Sequence, residues 1–260
     1  MDNNNRNRLN KYTDNLIEVC NKILVEREDI CQCFNKKNYP SRHIKKCMLE
    51  KKSRKCQNYN KCKKIYSNFL SGSEPHYNPE KWSNPLIEGS HNCYAYFLDD
   101  KIPVVKKKCL SICKKKHSNN KCRSNRRAVN ECSNLKPQPG NYADQFEIKK
   151  FKSNRHYTCP HMIKKIMIDS YKKKDKRRHN KSGSTIYGPV DLREKCKENY
   201  YKGGLTVDTG NTFHFYRQDS NGRFSHKQGT LKVGNKDASN KSIWAPHLSD
   251  RDYKKDKPKG

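Results

Sequence analysis

A chain of 260 residues with 58 Lys and Arg against 26 Asp and Glu carries a formal net charge of +32, and only 32% of it is hydrophobic. That fraction lies below the roughly 45–50% of ordinary globular domains, which excludes one core running the whole length and predicts a compact part beside weakly packed, charged parts. No stretch reaches the ~20 apolar residues of a bilayer span, and the polar start MDNNNRNRLN lacks the apolar run of a secretory signal; the expectation is a protein without membrane contact that starts in a cytosolic compartment.

In chain order, residues 12–34 read as a helix, because Leu16, Ile17, Cys20, Ile23, Leu24 and Ile30 recur near a 3.6-residue period. Residues 41–70 read as a second helical stretch, with Ile44, Cys47, Met48, Ile65 and Phe69 apolar. Six cysteines fall in this first part, at 20, 31, 33, 47, 56 and 62, as staples for a core too small to hold itself. Residues 71–85 contain three prolines and predict a boundary. The division is a helical, cysteine-rich basic segment over 1–75, an α+β domain over 84–252 and a disordered basic tail over 253–260.

Within the second part, 92–99 predicts a short helix and 101–135 a Lys/Arg-rich stretch with Cys109, Cys113, Cys122 and Cys132. A Pro-Gly turn falls in 136–143, and a helix over 158–174 opens at Thr158-Cys159-Pro160. Residues 171–183 read as a mobile loop. From 203 the texture alternates apolar and polar residues, predicting strands near 204–208, 211–217, 223–226 and 230–233, with Asp219-Ser220-Asn221-Gly222 as a hairpin turn.

The charge is uneven. Residues 101–182 hold 25 basic and 5 acidic residues, whereas 205–250 hold 6 and 4. Such a field attracts nucleic acid or another polyanion by non-specific, salt-sensitive electrostatics; a solvated Lys-rich surface is the plainer alternative. The basic tract at 101–132, with Lys172, Lys173, Lys174, Arg177 and Arg178, lacks interleaved aromatics on a clear sheet face to stack bases. The 13 cysteines are an odd number, so full pairing within one chain leaves at least one thiol, and Cys93 is the chosen candidate. Cys109, Cys113, His117 and Cys122 stand near a zinc-knuckle pattern without its spacing, and disulfides are preferred to a metal there. There is no P-loop, no G-x-G-x-x-G after a strand and no H-E-x-x-H, so no cofactor or metal is expected.

One constellation suggests nucleophilic chemistry. Cys93 in Asn92-Cys93-Tyr94-Ala95-Tyr96 opens a helix, where the dipole favours thiolate. His214 in Phe213-His214-Phe215-Tyr216-Arg217-Gln218 is the candidate base, and His226 an alternative base or orienter. Asp208 or Asp237 could orient the imidazole, Asn92, Tyr216 and Gln218 could hold substrate, and Arg217 is expected at the surface. The competing reading makes Cys93 a small buried residue and His214 a structural histidine.

The Asn92-Cys93-Tyr94-Ala95-Tyr96, Gln138-Pro139-Gly140, Phe213–Gln218, Phe224-Ser225-His226-Lys227 and Asp237-Ala238-Ser239 pieces resemble a domain of bacteria and giant viruses, and their order is similar to NlpC/P60 and CHAP-type papain-like cysteine hydrolases. The resemblance covers roughly 84–250. It implies a papain-like domain with a small antiparallel sheet, acyl transfer from an amide or ester carbonyl to Cys93, and His214 as proton carrier. With the Lys/Asn bias it also implies a giant-virus protein, in the virion or host cytoplasm, beside other virion proteins. The alternative is a non-catalytic, disulfide-stabilised basic virion protein contacting nucleic acid.

Overall fold

The computed structural model describes residues 3–31, 53–140, 157–175, 186 and 188–253. Helix α1 (Asn3–Cys31) and helix α2 (Arg54–Ser67) pack against each other through Ile17, Cys20, Leu24, Tyr59 and Tyr66. Ser53 caps α2 by accepting from the Cys56 N–H. Disulfides Cys20–Cys62 and Cys31–Cys56 pin the two helices. Of the expected helix over 41–70, Arg54–Ser67 is helical; residues 32–52, with Cys33 and Cys47, lie outside the described ones.

This helical pair is docked on the rest of the molecule. Tyr66 meets Trp244 edge-on at 5.5 Å. The Glu28 carboxylate pairs with Arg223 and lies 3.5 Å from Lys236. The buried Lys202 ammonium donates to the Phe69 carbonyl at 2.5 Å.

Two short helices follow, α3 (Pro85–Ser90) and α4 (Cys93–Phe97). Asn84 caps α3 and Asn92 caps α4, each by a side-chain oxygen on a backbone N–H, and α3 begins with proline, whose missing N–H is no loss at that place. Helix α5 (Pro103–Lys114), helix α6 (Asn119–Ser124) and a 3-10 helix (Arg126–Leu135) build the next unit. Along α5, Val105, Cys109 and Cys113 are buried at four-residue spacing while the lysines between them point away. Disulfides Cys109–Cys132 and Cys113–Cys122 close this unit. Those sulfurs are therefore not metal ligands, which removes the zinc alternative for the 109–122 run.

Helix α7 (Cys159–Asp175) is the last α-helix among the described residues. It runs through the first five positions of the expected loop 171–183; residues 176–185 lie outside the described ones. Asp169, buried on α7, accepts from the Tyr94 hydroxyl at 2.7 Å and from the Gly140 N–H at 2.7 Å. Gly140 sits at φ +98°, so the Pro-Gly turn needs glycine there.

The sheet is an antiparallel meander of β1 (Gly203–Asp208), β2 (Thr212–Gln218), β3 (Phe224–Lys227) and β4 (Val233–Gly234). Three of the four expected strands are present to within a residue; of the expected 230–233 only Val233 is in a strand, because the chain turns at 229–231 before β4 begins. The β2–β3 turn is closed by Gly222 N–H on the Asp219 carbonyl at 2.8 Å, with Gly222 at φ +85°. A Cβ at Gly203 would lie 1.9 Å from the Phe97 ring, so β1 can approach α4 only with glycine at this position. The class is α+β. No helix among the described residues is long and apolar enough to cross a membrane.

Candidate functional site

Alternation along β2 decides where each predicted site residue lies. Phe213, Phe215 and Arg217 face α4, where Phe215 meets Tyr94 at 4.9 Å and Phe97 at 5.2 Å, each aromatic pair contributing about 0.5–1.5 kcal/mol beyond its burial. His214, Tyr216 and Gln218 take the opposite face, where His214 meets His226 of β3.

Cys93 belongs to the α4 side. It is 5% exposed and packed with Leu86, Tyr94, Val129 and Phe215. Burial pushes its thiol up to about 11, against smaller opposing pulls from the Phe215 backbone and Lys227. The helix-tip position does not overcome this, because α4 is only five residues long and its first turn is sealed by apolar neighbours. Cys93 is a free thiol, as expected, but so are Cys159 and Cys196.

His214 turns its Nε2 to His226 Nδ1 at 2.7 Å. His226 Nε2 lies 3.0 Å from the Lys236 carbonyl, which can only accept, so His226 Nε2 carries the proton. His226 Nδ1 then accepts from His214 Nε2–H, and both rings are neutral. Burial lowers His214 to about 3, with the neighbouring His226 adding to it, and lowers His226 to about 4. The two histidines form a hydrogen-bonded pair anchored on the Lys236 carbonyl.

The remaining predicted residues also take structural places. Asp208 is exposed at the β1–β2 turn, opposite Thr212, and accepts from the Asn211 amide at 2.6 Å; it does not orient a histidine. Asp237 accepts from the backbone N–H groups of Ser239, Lys241 and Asp250 and so folds the 237–250 loop. The Asn92 carbonyl oxygen caps α4 and its amide donates to the Pro137 carbonyl at 2.7 Å. Tyr216 and Gln218 are fully buried. The expected Cys93–His214 dyad is thus replaced by two separate arrangements on opposite faces of one strand.

Beside Lys202, two further cations whose burial the sequence did not signal strongly lie inside. Arg217, expected at the surface, is 2% exposed; it pairs with Asp219 at 3.2 Å and Asp99 at 2.8 Å and covers the Tyr96 ring. Lys227 is fully buried, and its ammonium donates to the carbonyls of Glu88, His91 and Gly229 at 3.0, 2.7 and 2.6 Å. Burial, with Lys136 nearby, lowers Lys227 to about 7, while three acceptors match the three N–H groups of the charged form. The available signal was local: both residues sit in phase with Phe215 and Ser225 on the α4 side of the hairpin.

The opposite arrangement of cations occurs on the disulfide-held unit α5–α6. Between 101 and 135 there are eleven basic residues and one acidic, Glu131, and nine of the eleven are exposed. Lys107, Lys108, Lys114, Lys115 and Lys121 have no carboxylate within ion-pair distance among the described residues, and the Lys116–Glu131 pair at 2.6 Å is itself exposed. Lys116 holds the Glu131 carboxyl below its ordinary range. Every cysteine of the unit is buried beneath these cations. The side chains therefore present a dense, uncompensated positive field on a covalently braced base.

No family model matches the chain, and no solved structure matches it. A 47-residue stretch, 18% of this chain, is 45% identical to part of the insoluble matrix shell protein 1 of Ruditapes philippinarum and spans 32% of that protein.

Proposed function

We propose that this protein is a non-catalytic, disulfide-braced basic scaffold that binds nucleic acid through phosphate contacts from the α5–α6 unit. One observation carries the reading: nine exposed cations stand on a segment of 35 residues whose single carboxylate neutralises one of them. A field of this sign attracts polyphosphate chains, and releasing their condensed counterions drives the binding. The two disulfides keep the unit's backbone ordered before contact, which lowers the entropy cost of binding. Nothing in the unit presents a base-stacking ring, so sequence preference is not expected. A structural role also agrees with the sealed Cys93 thiol and the hydrogen-bonded histidine pair. The short likeness to a shell matrix protein points the same way, over a small part of the chain.

The test is a salt titration of binding to duplex oligonucleotides of unrelated sequence. Equal affinity for all sequences is expected, with log K falling linearly with log salt. The quadruple variant Lys107→Gln, Lys108→Gln, Lys114→Gln, Lys115→Gln should flatten that slope by about 0.9 for every phosphate that its side chains no longer neutralise. An unchanged slope would place the phosphate-binding cations elsewhere and overturn the assignment. Turnover of amide or ester substrates that disappears with Cys93→Ala would replace it with a hydrolase.

A further inference from the structure

The oxidation state of the cysteines is not uniform. Eight described cysteines are paired in four disulfides, and three are free. Cys93 is closed off by its packing, whereas Cys159 is exposed and Cys196 is half-buried. These last two line one cleft of about 760 Å³, between α7 and the 188–205 stretch. Phe97, Leu98, Ile166 and Phe215 form its apolar wall. Cys159 is the first residue of α7. Cys196 lies in a stretch, 188–202, without helix or strand, where the Asp191–Glu194 and Lys197–Tyr200 turns flank it without fixing it in a ladder.

We propose that Cys159 and Cys196 form a reversible disulfide across this cleft that ties α7 to the 188–202 stretch. An exposed thiol in a chain whose other disulfides have formed is open to thiol–disulfide exchange, and an exposed bridge is the labile kind. Bridging requires the two Cα atoms to stand at about 4.4–6.8 Å, so the proposal requires the segment around Cys196, which no helix or strand holds and which is anchored from Asn199 onward, to approach the start of α7. The Lys202 ammonium acts on the Cys196 thiol in the direction of thiolate, against the burial that raises it.

The oxidant is a disulfide donor of the glutathione class. One protein thiolate attacks the donor's S–S bond, which breaks to release one glutathione thiolate and leaves a mixed disulfide. The second protein thiolate then attacks the protein-side sulfur of that mixed disulfide and expels the second glutathione. In sum, two protein thiols lose two protons and two electrons, one protein S–S bond forms, and the donor's S–S bond is reduced to two thiols.

The experiment uses the full chain with its native disulfides. The protein is equilibrated in buffers of rising oxidised-to-reduced glutathione ratio, quenched with acid, alkylated with iodoacetamide and mapped by mass spectrometry without reduction. Alkylation of Cys159 and Cys196 should fall together, by at least tenfold, as one linked peptide pair appears, and Cys159→Ser should leave Cys196 alkylated or glutathionylated. The four structural bridges should remain intact across the same series. Persistent separate alkylation or glutathionylation of both thiols in the wild-type chain overturns the proposal. So does a linkage between two chains, seen as a dimer on a non-reducing gel.

Discussion

The α5–α6 unit and the β2–β3 hairpin use the same residue types in opposite ways. In the first, cysteines are paired beneath the surface and cations stand unneutralised in water. In the second, cations point inward and are saturated by carbonyls, carboxylates and a ring, and the neighbouring cysteine is a buried, unpaired thiol. The lesson is that charge becomes a binding feature only where the fold leaves it uncompensated. A buried cation with full partners acts as a brace, and removing one side of such a pair leaves the other charge desolvated.

The strongest way to break this comparison is Arg217→Met. If the hairpin cation is a brace, the substitution strands Asp219 and should lower stability by about 3–5 kcal/mol in a denaturant titration. A change below ~1 kcal/mol would mean that Arg217 is as dispensable as a surface lysine. Next, the paired substitution Cys109→Ser with Cys132→Ser removes the longer brace of the basic unit. A destabilisation of about 2–4 kcal/mol is expected, together with weaker binding to duplex oligonucleotides because the platform is no longer held in place. Unchanged binding would show that the charges act without their support.

Gly203→Ala probes the packing of the sheet on α4. Its Cβ would overlap the Phe97 ring, so calorimetry should show a destabilisation of about 1–3 kcal/mol. Acid sharpens the hairpin side further. His91 is lowered to about 3 and His226 to about 4, both mainly by burial, and His214 moves in the same direction. Below the ordinary histidine value near 6.5 the unfolded chain takes up protons that the folded one refuses. Stability is therefore complete above that pH and falls as pH drops toward the folded values, by about 1.4 kcal/mol per pH unit for each of the two buried rings, His91 and His226. Unfolding free energies that stay flat between pH 6.5 and 4 in the wild type would contradict the neutral, hydrogen-bonded pair. The smallest effect belongs to the exposed lysines: Lys107→Gln and Lys114→Gln should each change stability by less than about 0.5 kcal/mol while flattening the salt dependence of binding.

Much of the architecture was legible because it rests on local rules. The α1 periodicity, the Pro-Gly turn at 140 and the Asp219–Gly222 hairpin turn each follow from side chains acting within a few residues. Period-two alternation placed β1, β2 and β3 to within a residue or so. The site was less legible. Cys93 and His214 each occupy the type of local position that a nucleophile and a base require. Their separation follows instead from the side of β2 that α4 covers, a long-range packing choice. Once Phe215 is buried against Tyr94 and Phe97, His214 must point away from Cys93.

By itself the sequence determined the α+β class, the positions of the first three strands, the density of positive charge and the need for cysteine staples. These depend on period, composition and turn chemistry, all readable along the chain. Only the tertiary structure decided which cysteines pair, which cations are saturated and which histidine meets which neighbour. Burial and partners are properties of residues brought together from distant positions, as in the bond from Lys227 to the His91 carbonyl across 136 positions. No local pattern encodes the desolvation that turns a thiol at a helix tip into core and a lysine on a strand into a brace.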